Sequence, residues 1–290
     1  MINLKFYNYI FYSSIMHLTP KYNPIYIVIT FCCLLFCTQS KANSQTIEDT
    51  TIKKSYSVNY ITRPLHIDGK LNDQAWKKAA WTDLFVDIEG TIKPKPLFDT
   101  RVKMLWDSQY LYIAADLKEP HLWANLLNHD DIIFNDHDFE VFIDPNNDEN
   151  QYFEIEINAL GTVMDLFMFK TYKLGGPMVM GWNSDGMKSA IQIKGTLNDN
   201  RDTDKGWTIE MAIPYSCLKK PGRNYLPNLK QPWRINFSRV EWTLQNEGIS
   251  YVKKLNPNGK PIPEFNWVWS PIGLINMHVP SRWGYLYFKK

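Results

Sequence analysis

The chain has 290 residues, with 32 Lys and Arg against 30 Asp and Glu, a formal net charge of +2. Balanced charge without a basic stripe excludes the electrostatic footprint of a nucleic-acid binder, and the lack of a fixed period excludes a solenoid or propeller. Aromatic residues reach 14% and include 11 Trp, a load that serves either a core or flat platforms for ligands to stack on.

Ile25 to Phe36 is an apolar run of about a dozen residues, too short for a comfortable membrane span. Ser40-Lys41-Ala42 follows, with small residues at the two positions a signal peptidase reads. Residues 1–42 are therefore expected to be a signal peptide, cleaved after Ala42, that sends the chain to the periplasm or the medium. Met16, followed by Lys21, would start a signal of more ordinary length than Met1 does, and the bulky Phe36 argues against a lipid anchor at Cys37. Cleavage would remove Cys32, Cys33 and Cys37 and leave Cys217 alone, so no internal disulfide is expected. It would also remove Lys5, Lys21 and Lys41, leaving 29 bases against 30 acids.

Residues 43–57, polar and rich in Ser and Thr, read as a flexible leader, and residues 58–290 as one domain with no membrane span. Tyr60 to Ile67 predicts a first strand, turned by Asp68-Gly69. Asn72 to Ala79 predicts a short helix with Asn72 as N-cap and Trp76 pointing inward. Trp81 to Ile88 reads as a strand, and Lys93-Pro94-Lys95-Pro96 as a loop barred from any central ladder. Alternating runs at Arg101–Trp106 and Tyr110–Leu117, with Asp107-Ser108 between them, predict two strong strands. Glu119 to Asn135 is a long irregular connection carrying Trp123, His129, Asp130, Asp131 and Phe134. Loops held by a rigid scaffold are where binding residues concentrate.

The centre of the chain is a hairpin of Asp138–Asp144 and Gln151–Asn158 across a Pro/Asn/Asp-rich turn. Successive strand side chains point oppositely. Phe153, Ile155 and Ile157 therefore ask for a core, while Tyr152, Glu154, Glu156 and Asn158 share the other face, which Glu140 joins if the register allows. That row is either an ordinary wet sheet face or the floor of a polar ligand site. Gly161–Lys170, Lys188–Thr196, Trp207–Ile213, Trp233–Trp242, a short Trp267-Val268-Trp269 and a closing Trp283–Phe288 complete the strands. Short strands at this spacing predict an all-β fold, a two-sheet antiparallel β-sandwich with one or two short helices.

Five motifs stand in order: Ile67-Asp68-Gly69…Trp76, Leu105-Trp106-Asp107…Tyr110-Leu111-Tyr112-Ile113, the central hairpin, Gly206-Trp207-Thr208-Ile209-Glu210…Pro214 and Trp283-Gly284-Tyr285-Leu286. With them the chain resembles the family 9 carbohydrate-binding modules, and more narrowly the exported family 9-like proteins of polysaccharide-degrading bacteria. The resemblance implies a β-sandwich, binding of a mono-, oligo- or polysaccharide, association with glycan-degrading enzymes and, in some members, structural calcium. It also implies a sugar ring held between two tryptophans, with charged and amide side chains on the hydroxyls. Along the motifs those tryptophan positions fall at Phe134 and near Met277, the acidic position at Glu140 and a basic position at about Glu156. Three of the four carry a different residue type.

The expected ligand-binding set is Phe134, Glu140, Glu154, Glu156 and Asn158 with Trp123, Trp182, Trp267, Trp269 and Met277. Trp123 and Trp182 lie in irregular loops and are better platforms than the strand residues Trp106 and Trp207. Asp144, Asn146 and Asp148, and likewise Asp202 and Asp204, have the alternate spacing of calcium ligands, but neither run has the Gly and the bidentate Glu of an EF-hand loop. Turn chemistry explains them more simply, no cofactor is required by the residues, and the histidines show no metal-ligand spacing. Two other readings stay open. Paired carboxylates on one face suit a glycosidase. Related sandwiches that carry haem suggest Met277-His278 with Met164, Met168 or Met178 as axial ligands.

Overall fold

The computed structural model describes residues 53–220 and 223–290. The expected signal peptide and the first part of the expected leader lie outside the described residues. Seventeen strands follow one another: β1 (Ser55–Tyr60), β2 (Val86–Asp87), β3 (Thr100–Trp106), β4 (Tyr110–Leu117), β5 (Asp138–Asp144) and β6 (Tyr152–Asn158). Then come β7 (Val163–Met168), β8 (Met178–Val179), β9 (Lys188–Ile193), β10 (Trp207–Pro214), β11 (Lys219–Lys220) and β12 (Arg223–Asn224). β13 (Trp233–Glu241), β14 (Leu244–Glu247), β15 (Ser250–Lys253), β16 (Phe265–Val268) and β17 (Gly284–Lys289) end the chain.

Thirteen of these strands form one curled sheet in the order β8-β7-β6-β5-β13-β17-β1-β3-β4-β10-β9, with β16 branching from β13 and carrying β2. Curling brings its two halves face to face. Phe139, Val141, Ile155 and Phe237 on one half share a buried cluster with Val102, Ile113, Ile209 and Met211 on the other, which is the sandwich core that the alternation asked for. The helices reduce to single 3-10 turns, and no α-helix occurs among the described residues.

Three local differences from the sequence reading have physical causes. The first strand is Ser55–Tyr60, which begins inside the expected leader and ends where the strand expected at Tyr60–Ile67 would begin. Tyr56 and Val58 are buried, and the strand pairs in parallel with β17 from the far end of the chain, a partner no local pattern reveals. The expected helix contracts to a turn at Trp76–Lys78 capped by Ala75, without a side-chain bond. Of the strand expected at Trp81–Ile88, only Val86–Asp87 pairs, with β16. The hairpin β14–β15 was not anticipated.

The motifs act as staples. Glu210 on β10 accepts the N–H groups of Asp68 at 2.9 Å and Gly69 at 2.8 Å, and the indole N–H of Trp76 at 2.7 Å. One buried carboxylate thus pins the opening segment to the sheet. Gly69 has φ +80°, and a Cβ there would lie 2.8 Å from the Ile191 carbonyl carbon, so only glycine fits. Asp107 accepts the N–H groups of Gln109 and Tyr110 and the Tyr112 hydroxyl, closing the β3–β4 turn. Gly284 lets the Trp269 ring approach to 2.5 Å from where a Cβ would stand.

Candidate functional site

Register decides which side chains of the central hairpin meet. β5 and β6 pair so that Glu140 faces Glu156, Phe142 faces Glu154 and Asp138 faces Asn158. β7 adds Met164 beside Glu156 and Leu166 beside Glu154. Cross-strand neighbours share a face, so Asp138, Glu140, Glu154 and Glu156 gather on the side away from the sandwich core. That side is not a wet face. Phe142, Tyr152, Met164 and Leu166 pack with Ile88, Ile272, Met277 and Trp283 from the covering loops in a second apolar cluster, and all four acids are at most 5% exposed.

A cleft of about 670 Å³ opens over this row, reaching Glu140, Glu154 and Glu156. Phe142, Met164, Leu166, Met180 and Met277 line it, and Phe134, Tyr172, Met178 and Ile275 form a solvent-exposed rim. Phe134 is held at both ends of its peptide. Its N–H donates to Glu156 Oε2 at 3.1 Å, and its carbonyl accepts the indole N–H of Trp242 at 2.9 Å. The residue itself remains 42% exposed.

No lysine or arginine lines the cleft, and His278 is the basic side chain beside its acids. Burial pushes the Glu140 carboxyl up to about 7. Burial, with the repulsion of Glu140 second, lifts Glu154 to about 8. Asp138 and Glu156 are raised well above the usual range, by burial first and Glu140 next. His278 approaches Glu154 to 3.9 Å, but burial pushes the imidazole down to about 4, so it stays neutral beside the acid; its Nδ1 meets the Tyr152 hydroxyl at 2.8 Å. A carboxyl that keeps its proton donates as well as accepts hydrogen bonds. Asp138 Oδ2 and Glu154 Oε2 have no hydrogen-bond partner.

The structure brings together Phe134, Glu140, Glu154, Glu156 and Met277 of the expected set, and sets the others apart. Asn158 is fully buried. Its amide donates to the Leu126 carbonyl and to Asp136, and its oxygen accepts the N–H groups of Leu160 and Thr162. Those bonds shape the β6–β7 turn and leave nothing for a ligand. Among the 11 tryptophans, none lines the cleft. Trp123 packs edge-on against His137, and Trp182 lies on Phe153 and donates to the Cys217 carbonyl. The Arg239 guanidinium lies over Trp267, and Trp269 is buried against Phe237 and Gly284. Large indoles serve the core here, and smaller rings furnish the cleft. Tyr172, Phe142, Glu264, Asn266 and Asn276 also line it; only Phe142 had a readable signal, as a hairpin residue on the acidic face.

The expected calcium loops are occupied with their own backbone. Asp144 accepts the N–H groups of Asn147 and Glu149, and Asp148 accepts that of Asn150 and the Asn146 amide. Asp202 accepts the Thr196 hydroxyl, and Asp204 the N–H groups of Leu122 and Thr196. Carboxylates that converge do so elsewhere, at Glu119 with His137 and Glu241, at His129 with Asp130 and Asp165, and at Asp138 with Glu140 and Glu156. The first group is already bridged by Arg239, 2.5 Å from Glu119 and 2.7 Å from Glu241. Of the residues considered as haem ligands, Met164, Met178, Met277 and His278 line the acid-floored cleft, and Met168 is buried.

An all-β sandwich with a recessed, polar-floored and aromatic-rimmed cleft on the outer face of one half-sheet is the architecture of a ligand-binding module. The class is that of the carbohydrate-binding modules: the chain belongs to the carbohydrate family 9 binding domain-like family, whose model matches residues 67–231. It is 30% identical over 155 residues to the exoglucanase XynX of Acetivibrio thermocellus, a match covering 52% of this chain and 12% of that protein. It is also 30% identical over 116 residues to the endo-1,4-beta-xylanase A of Thermoanaerobacterium saccharolyticum, covering 40% of this chain and 8% of that one. The chain thus spans only a small part of either enzyme. Among solved structures, a Bacteroides uniformis protein described as carbohydrate-binding superposes with a TM-score of 0.59 at 17% identity, over 82% of this chain and all of that one. A family 9 module of Caldicellulosiruptor kristjanssonii in complex with cellotriose gives 0.50 at 17% identity, over 81% and 94%. At such identities the structures establish a shared fold.

Proposed function

We propose that this chain is an exported sugar-binding protein of glycan breakdown and takes its sugar in the outer cleft. Phe134 stacks on the apolar face of a ring, while Glu140, Glu154 and Glu156 bond its hydroxyls. The observation that carries this reading is the meeting of an exposed aromatic edge with a buried acidic floor, on the sheet of a carbohydrate-binding family. The apolar run before Ala42 supports export. Among the described residues no helix is long and apolar enough to cross a membrane. Glucose, cello-oligosaccharides and xylo-oligosaccharides are the first ligands to try, because family 9 modules of Caldicellulosiruptor kristjanssonii hold cellotriose and glucose and a matched relative is named a xylanase.

A glycan array followed by calorimetry tests the proposal. Aromatic stacking is worth roughly 0.5–1.5 kcal/mol beyond the area it buries, so Phe134→Ala is expected to weaken binding about tenfold. Hydrogen bonds to a charged group contribute about 1.5–3 kcal/mol, so Glu140→Gln is expected to weaken it by ten- to a hundredfold. No saccharide bound, or binding indifferent to both changes, overturns the proposal.

A hydrolytic reading draws on one observation. Glu140 and Glu156 face each other across β5 and β6, a pair of carboxylates on one face as glycosidases use, and burial raises Glu140 to about 7, a range suited to a general acid. Sugar release that survives Glu140→Gln and Glu156→Gln together would exclude this pair as its catalysts.

A further inference from the structure

Three carboxylates of the central hairpin converge, Glu140 and Glu156 where they line the cleft and Asp138 beside them. Asp138, Glu140 and Glu156 each contribute an oxygen within 4.8 Å of those of the other two. Two oxygens bound to one calcium ion at about 2.4 Å can be no more than about 4.8 Å apart, and calcium accepts an irregular shell of 6–8 oxygens.

The surroundings point to a missing positive charge. Asp138 is 1% exposed; one of its oxygens accepts the Val240 N–H at 2.9 Å, and the other has no partner. Glu154 Oε2, on the same face, has none either. Buried carboxylates without a counter-charge are costly, and no lysine or arginine lines the cleft above them. The floor opens to the cleft through Glu140 and Glu156, so an ion there can be reached from solvent.

We infer that Asp138, Glu140 and Glu156 hold a divalent cation, calcium by its all-oxygen donor set, whose remaining coordination positions face the cleft and take a vicinal pair of sugar hydroxyls. The second half of this inference rests on the sugar-binding reading; the ion site itself does not.

The test uses the purified chain stripped with chelator, titrated with calcium chloride by calorimetry and with terbium by sensitised luminescence. The expected result is one strong site, weakened at least tenfold by Asp138→Asn and by Glu156→Gln, and unchanged by Asp148→Asn in the hairpin turn. Glu156→Gln preserves side-chain shape and removes a buried charge, so its melting temperature in chelator should equal or exceed that of the parent; this checks that a lost site is not a lost fold. Absence of a strong site, or a site indifferent to both changes, overturns the inference. Sugar binding is then measured with calcium and with chelator. Loss of at least tenfold in affinity without the ion supports the bridging role, whereas binding unaltered by chelator overturns it. A calcium site present and sensitive to Glu156→Gln, with no sugar bound under any condition, upholds the ion site and overturns the sugar-binding reading instead.

Discussion

Single side chains in this molecule carry either a staple or a ligand contact, and the sequence motifs mark the staples. Glu210 accepts three N–H groups from a segment about 140 positions away, which no glutamine can reproduce because an amide offers one acceptor oxygen and presents donors to donors. Glu210→Gln is therefore expected to destabilise the fold by about 2–4 kcal/mol, since buried donors lose their partners, and urea melts of parent and variant measure the difference. Phe134 behaves differently. Its backbone is fixed by Glu156 and by Trp242 while the residue stays exposed, so truncating it should leave stability nearly unchanged and alter only binding. Sequence position does not announce this contrast: Trp123 and Trp182 stand in irregular loops as Phe134 does, yet both indoles pack inward.

At the scale of elements, the hairpin β5–β6 is held from both sides and concentrates charge where water is scarce. Glu140, Glu154 and Glu119 are raised by burial to about 7, 8 and 8, against an ordinary glutamate value of about 4.3 in the unfolded chain. A group that binds its proton more tightly when folded loses stabilising effect as pH rises from its unfolded to its folded value. His278, lowered to about 4 by burial, acts oppositely but only up to its unfolded value of about 6.5. Between about pH 6.5 and 8 these acids act without that opposition. The melting temperature of the chelated protein should therefore fall across this window, and Glu156→Gln should flatten the fall; calorimetric scans at several pH values check both. Near the other end of the hairpin, Arg239 ties β13 to the β4–β5 connection through Glu119, Glu241, Thr100 and the Lys118 carbonyl. Breaking a buried pair from one side strands the partner charge and costs about 3–5 kcal/mol. Arg239→Met should lower stability by that amount in denaturant titrations at neutral pH.

On the scale of the whole molecule, the two ends of the described chain lie side by side. β17 fills the gap between β13 and β1, antiparallel to the first and parallel to the second, and contributes the buried Leu286 and Phe288 to the core. Removing residues 284–290 would expose the edges of β13 and β1 together and take two apolar side chains from the sandwich. Unpaired strand edges are both unstable and association-prone, so the truncated chain is expected to lose its cooperative unfolding transition and to aggregate; circular dichroism melts and light scattering read these outcomes. A chain that keeps a sharp transition would show that β17 is dispensable.

The sequence alone determined the all-β class, the family, the pairing of the central hairpin and the sorting of Phe153, Ile155 and Ile157 away from Glu154 and Glu156. Those properties follow from a two-residue period and from turn chemistry, which act over a few positions. Only the tertiary structure decided that the acidic face is enclosed rather than wet, that Phe134 and Tyr172 rather than any tryptophan edge the cleft, and that the first strand begins at Ser55. Alternation says which side a residue faces; what covers that side is supplied by loops more than a hundred positions away, such as Ile272 and Met277 over Phe142, and their arrival depends on the packing of the entire sheet.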